Sequence, residues 1–149
     1  MRPLKLLLDT QALLWWTEGD RKLGPRARRA IERDAAVVYV SAVSAWEIAI
    51  KSSIGRLKMK TPLTAWMPDA LEDDGFVMLA VTVRHAAGVA TLPSHHDDPF
   101  DRLLIEQARQ EGLAGAHPHP PMLLPGHRSQ HVALIVGPGC VAQPELFNY

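Results

Sequence analysis

Leu4-Lys5-Leu6-Leu7-Leu8-Asp9-Thr10-Gln11-Ala12-Leu13-Leu14-Trp15-Trp16-Thr17 is the stretch that decides the fold. Five mostly apolar residues predict a short strand, and Leu13, Leu14 and Trp16 then supply the apolar face of a helix over Gln11 to Thr17. Between the two stands Asp9-Thr10. A carboxylate is an awkward end for a buried strand, because leaving a charge away from water is costly. It either caps the following helix or does chemistry.

Reading outward, Gly19-Asp20 breaks the first helix and Gly24-Pro25 opens a second, over Pro25 to Arg33. Ala36 to Val40 is a valine-rich second strand. Ser41 to Ile54 reads as helix, stopped by Gly55. Arg56 to Lys60 is a basic connector, and Thr61-Pro62 restarts a helix through Leu71. Phe76 to Val81 is a third strand. A helix over Thr82 to Leu92 follows, then the polar loop Pro93 to Asp98, then a helix from Pro99 to about Glu111 ended by Gly112. Strands separated by helices need crossover connections. The economical architecture is therefore α/β, a parallel sheet with helices on both faces and its last strand left open.

The chain has 149 residues, enough for one domain, and its 16 basic and 16 acidic side chains cancel. That balance excludes RNA or DNA binding by bulk positive charge. With 47% hydrophobic residues a core is affordable, and 21% charged residues argues for a soluble globular chain. No stretch reaches the roughly 18 apolar residues of a membrane span, and the start is too short in apolar residues for a signal peptide. Cys140 has no partner for an internal disulfide. A cytoplasmic protein is expected. The charge is unevenly spread: 30 of the 32 charged residues lie in residues 1–113, whereas residues 114–149 hold only Arg128 and Glu145, with 6 of the 12 prolines and 4 of the 7 histidines. Two parts are expected, a folded domain over 1–113 and a Pro/Gly/His-rich tail over 114–149 with one apolar run, Val132 to Val136.

In an open parallel sheet, functional groups gather at the carboxyl ends of the strands. Asp9 ends the first strand, Glu47 follows the second, and Asp98 and Asp101 open the last clear helix. Carboxylates meeting there would repel unless a cation neutralised them, and hard oxygen donors suit Mg²⁺ or Mn²⁺. Each acid has a structural alternative. Asp9 could cap a helix; Ser44-Ala45-Trp46-Glu47 fits a capping box, with Glu47 reaching back to the cap amide; Asp98-Pro99 fits an N-cap followed by proline, with Asp101 in the first turn. Asp101 is the better metal candidate, with Asp98 or Asp97 beside it. His95-His96 and His117-Pro118-His119 lack zinc-ligand spacing. Trp15, Trp16, Trp46 and Trp66 lie in helical segments among aliphatics, so most read as core or interface anchors rather than base-stacking platforms. Lys51, Arg56, Lys58 and Lys60 form a basic stretch that could steer a polyanion. No phosphate loop or nucleophile elbow is present. A receiver-like domain phosphorylated at Asp9 would fit the fold, but it would want an acid pair beside one strand and a lysine at the end of another.

Three motifs together, Leu6 to Trp16, Val40 to Lys51 and His95 to Ile105, resemble the PIN-domain toxins of the VapC type over about residues 4–113. The resemblance implies a PIN-like fold and a cytoplasmic Mg²⁺-dependent ribonuclease, with an RNA substrate, a cognate antitoxin as partner, and commonly a homodimer. It implies that Asp9, Glu47 and Asp101 are the metal-binding and catalytic acids, with Asp98 close by as a further metal residue. Two departures stand out. Gln11 replaces the family's usual His, and after Leu113 the family's strand and Thr-x-Asp segment are missing, which suggests a change of reading frame near Leu113. Without that segment the alternative is an impaired PIN-fold remnant that binds an antitoxin but cleaves poorly.

Overall fold

The computed structural model describes residues 4–34, 36–92, 98–113 and 132–135. Their order is β1 (Leu4–Leu8), α1 (Thr10–Glu18), α2 (Pro25–Glu32), β2 (Ala36–Ser41), α3 (Ala42–Ser53), α4 (Asp69–Asp73), β3 (Val77–Leu79), α5 (Val83–Gly88), α6 (Pro99–Gln110) and β4 (Val132–Ile135). Short 3₁₀ turns lie at Arg21–Leu23, Leu63–Ala65 and Val89–Thr91. The strands pair in the order β3-β2-β1-β4, every pair parallel, with Leu6 opposite Val38 on one side and Ala133 on the other. The chain steps from β1 to β2 to β3 in one direction and returns to the far side of β1. The carboxyl end of β1 therefore borders the topological switch, where α/β sheets open a crevice for ligands.

Alternation along the strands explains why both faces of the sheet are covered. Leu6, Leu8, Val38 and Val40 join α1, α2 and α4 in one core through Leu13, Trp15, Ile31 and Leu71. Leu7, on the opposite face, packs with Val43, Leu104, Ala108 and Leu113. Each fully buried leucine contributes about 1.5–3 kcal/mol of transfer free energy. Helix α3 serves both layers, Ile48 in one and Val43 in the other. It is thereby fixed against the sheet at the end where Asp9 emerges.

The parallel α/β class agrees with the sequence reading, and some boundaries do not. The helix expected through Leu71 is a 3₁₀ turn followed by the short α4. Pro68 lies inside that stretch and lacks a backbone donor, so helical bonding cannot run on through it. The helix expected over Thr82 to Leu92 ends as α at Gly88 and tightens into a 3₁₀ turn. At Gly88 the backbone closes on α6: a Cβ there would press on the Glu106 carboxylate and the Gln110 side-chain amide. The Glu106 carboxylate, itself buried, takes hydrogen bonds from Arg109 Nε at 2.8 Å, Arg109 Nη2 at 2.5 Å and Gln110 Nε2 at 2.6 Å. Val132–Ile135 pairs beside β1. The rest of the tail, Pro93 to Asp97 with His95-His96, and Cys140 lie outside the described residues.

Candidate active site

Asp9 is the N-cap of α1, its Oδ1 accepting from the Ala12 amide at 2.7 Å, and it is buried at 6% exposure. The next residue turns inward as well. Thr10 donates its hydroxyl proton to Glu47 Oε2 and lies 3.2 Å from Ser44 Oγ. The first residue of α1 and the helix α3 are thus tied side chain to side chain at the carboxyl end of the sheet.

Glu47 is 4% exposed, and it does not close a capping box. The N-cap of α3 is Ser41, whose hydroxyl accepts from the Val43 amide, so Ser44 already lies inside the helix and Glu47 stands two turns from the cap amides. Its carboxylate is held instead by Thr10 and by Lys51, one helical turn on, with Nζ 2.6 Å from Oε1. The Glu47 hydrogen bond, and the fields of Glu47, Asp98 and Asp101, hold the Lys51 ammonium above its ordinary pKa against the cost of partial burial.

Asp98 caps α6 as the Asp-Pro pair foretold, accepting from the Phe100 and Asp101 amides at 2.8 and 3.2 Å. Asp101 then falls in the first turn, within the electrostatic reach of Glu47. Burial first, and then the Asp98 and Glu47 carboxylates, push the Asp101 carboxyl from 3.8 up to about 6, while Lys51 pulls the other way. Crowded like charges and desolvation act together, the pattern expected where a site is short of positive charge. Arg102, beside it, donates through Nη2 to the Val89 carbonyl at 3.1 Å, fixing α6 to the preceding turn.

The four sequence-identified acids therefore come to one end of the sheet, Glu47, Asp98 and Asp101 within one electrostatic cluster. Among the described residues no three His, Cys, Asp or Glu side chains are drawn together to metal-ligand spacing. The reason is visible in the bonds: Asp9 and Asp98 hold helix caps, and Glu47 is engaged by Thr10 and Lys51. Thr10 and Lys51 were not singled out with Glu47 from sequence, although the i, i+4 spacing of Glu47 and Lys51 was there to be read. An apolar cavity of about 390 Å³ opens at the carboxyl ends of β2 and β3, between Ala45, Leu63, Met67 and Met78. It has no acid in its lining and is not the chemical centre.

A central parallel sheet, a switch point at β1 and acids on the loop and helix starts beyond it define a class before any comparison is made. Residues 6–116 match the family model described as PIN domain. Over 107 residues, 72% of this chain and 81% of the relative, the sequence is 31% identical to Ribonuclease VapC22 of Mycobacterium tuberculosis (strain ATCC 25618 / H37Rv). The chain belongs to the PIN-domain family. Within that family it is of the VapC type.

Proposed function

We propose that the chain is a divalent-metal-dependent endoribonuclease, the toxin of a toxin–antitoxin pair, that hydrolyses RNA phosphodiester bonds at the carboxyl end of the sheet. The observation that carries this reading is the placement of four acids at the carboxyl end of the sheet, Asp9 at the start of α1, Glu47 buried in α3, and Asp98 and Asp101 in the first turn of α6. The likeness to a relative named as a ribonuclease supports it independently. The donor set fits a hard cation, because every candidate ligand is a carboxylate oxygen and the cluster carries unrelieved negative charge. Asp9, Glu47 and Asp101 would hold Mg²⁺ or Mn²⁺, with Asp98 beside them.

When bound, such an ion supplies charge neutralisation and Lewis-acid activation of water at neutral pH. The protein's own groups do the positioning. Thr10 fixes one oxygen of Glu47, and the Ala12 amide fixes one oxygen of Asp9, so neither acid has to be ordered when substrate arrives. Lys51 pairs with Glu47 and, being partly exposed, would turn its remaining donors toward a phosphate oxygen of the substrate.

The test is cleavage of RNA by the purified chain. Activity should appear with Mg²⁺ or Mn²⁺, vanish in EDTA, and fall about a hundredfold or more in Asp9→Asn and in Asp101→Asn. Cleavage that survives EDTA, or survives both substitutions, refutes the metal-acid reading. A cognate antitoxin, a homodimer and action in the cytoplasm belong to the same proposal. A second reading, an antitoxin-binding remnant that cleaves poorly, is favoured by the absence of any acid between Glu111 and Glu145 in the sequence. No cleavage with intact antitoxin binding would select it.

A further inference from the structure

Glu47 and Asp101 each have an aromatic neighbour, Trp46 and Phe100. Successive residues on a helix point about 100° apart, so a buried acid can stand beside an exposed ring. Glu47 is 4% exposed and Trp46 is 58% exposed. The two helices bring these aromatics together on the outside of the same junction, ring centroids 5.2 Å apart and planes at 70°, an edge-on pair. Trp46 is not a core anchor. Trp15 is buried at 8%, and Trp16 and Trp66 pack against the larger core, whereas Trp46 meets solvent.

We propose that Trp46, braced by Phe100, is a stacking platform for a nucleobase of single-stranded RNA whose backbone lies at the acid cluster; this rests on the ribonuclease reading above. Three observations lead there. The steeply inclined Phe100 ring braces the indole while leaving much of Trp46 exposed, so a flat surface is presented at little further ordering cost. The platform is one residue from an acid on both helices, which places a base and its phosphate on adjoining parts of one surface. The chain carries no net charge, so affinity for a polyanion cannot come from bulk positive charge. Stacking of a base on an aromatic face is independent of that balance and tolerant of base identity. Lys51, on the acid side of the same helix, offers a local charge where the phosphate would run.

The experiment uses the full chain with the Asp9→Asn substitution, in Mg²⁺, and two labelled probes: oligouridylate, and the same strand with its central bases removed. Fluorescence anisotropy should show Trp46→Leu weakening the intact strand by about tenfold or more, Trp46→Phe by no more than about threefold, and neither changing affinity for the base-free strand. Equal losses on both strands, or no loss on either, overturn the platform. So does a change of molecular mass in solution on Trp46→Leu, which would mark this face as a contact between protein chains. RNA cleavage by the unsubstituted chain is measured in parallel. If it cleaves while Trp46→Leu binds as before, the platform fails and the ribonuclease reading stands; if it neither cleaves nor binds RNA, the reading fails and takes the platform with it.

Discussion

Thr10 shows how much a single hydroxyl arranges. It has one proton to give, and the carboxylate of Glu47 is the stronger acceptor, so the neighbouring Ser44 hydroxyl is left to donate to Thr10. That chain of bonds ties one oxygen of the α3 acid to the start of α1, while Lys51 holds the other from within α3. Glu106 illustrates the opposite use of a buried carboxylate, structural rather than chemical. Bonds from Arg109 first, and from Gln110, hold its pKa below the ordinary 4.5 against the cost of burial. A depressed folded-state pKa means stability that is complete above the unfolded value and lost as pH falls through the folded one. Urea midpoints measured downward from pH 7 should therefore drop below about pH 4.5, and Glu106→Gln should be less stable at neutral pH yet show a flatter acid limb. Parallel acid limbs in the two chains would count against this assignment. Of the site residues, Asp98 was legible from the Asp-Pro pair and Asp9 from its place after an apolar strand. Glu47 was legible as an acid but not in its bonding, because two serines three residues apart each make a credible cap and only packing shows that Ser41 is the one used.

At the scale of elements, α6 holds the site from behind. Its N-terminal turn carries Asp98 and Asp101, its middle buries Leu104 and Ala108, and Gln107 links β2 to β3 by a bond from Ser41 and one to the Ala80 carbonyl at 3.2 Å. The close approach at Gly88 sets how near α5 and its turn sit to this helix. Gly88→Ala would place a methyl group against the buried Glu106 carboxylate, and nothing in the backbone angles there forbids the substitution. The expected cost is about 1–3 kcal/mol, from overpacking and from separating α5 from α6, read as a lowered melting temperature. A melting temperature equal to the unsubstituted chain would show that Glu106 moves aside freely. Long periodic segments such as α3 and α6 were readable from the sequence because burial repeats with the helical period. The stretch around Pro68 and the end of α5 were not, since proline and the tight α5–α6 contact override an apolar pattern that would otherwise extend a helix.

For the molecule as a whole, the even charge balance conceals a break, and the family match ends at residue 116, close to where charged residues give way to proline and histidine. We propose that the tail after Leu113 is read in a changed frame; the competing reading is a natural divergent tail whose apolar run supplies the missing strand, and Val132–Ile135 does pair beside β1. Translating the gene past Leu113 in the other two frames should reveal a strand followed by Thr-x-Asp; its absence from both would leave the tail as native divergence. Either way, β1 is bonded on both sides, and Leu6, Leu7 and Leu8 alternate between the two cores with no exposure. Exposing its backbone to exchange with solvent requires both layers to part, the opening that costs the full free energy of unfolding rather than a local fraction of it. Asp9 is the immediate continuation of that segment. Its backbone is therefore anchored by the strand expected to open last, and slow hydrogen exchange at the Leu6, Leu7 and Leu8 amides would measure how firmly the acid is held.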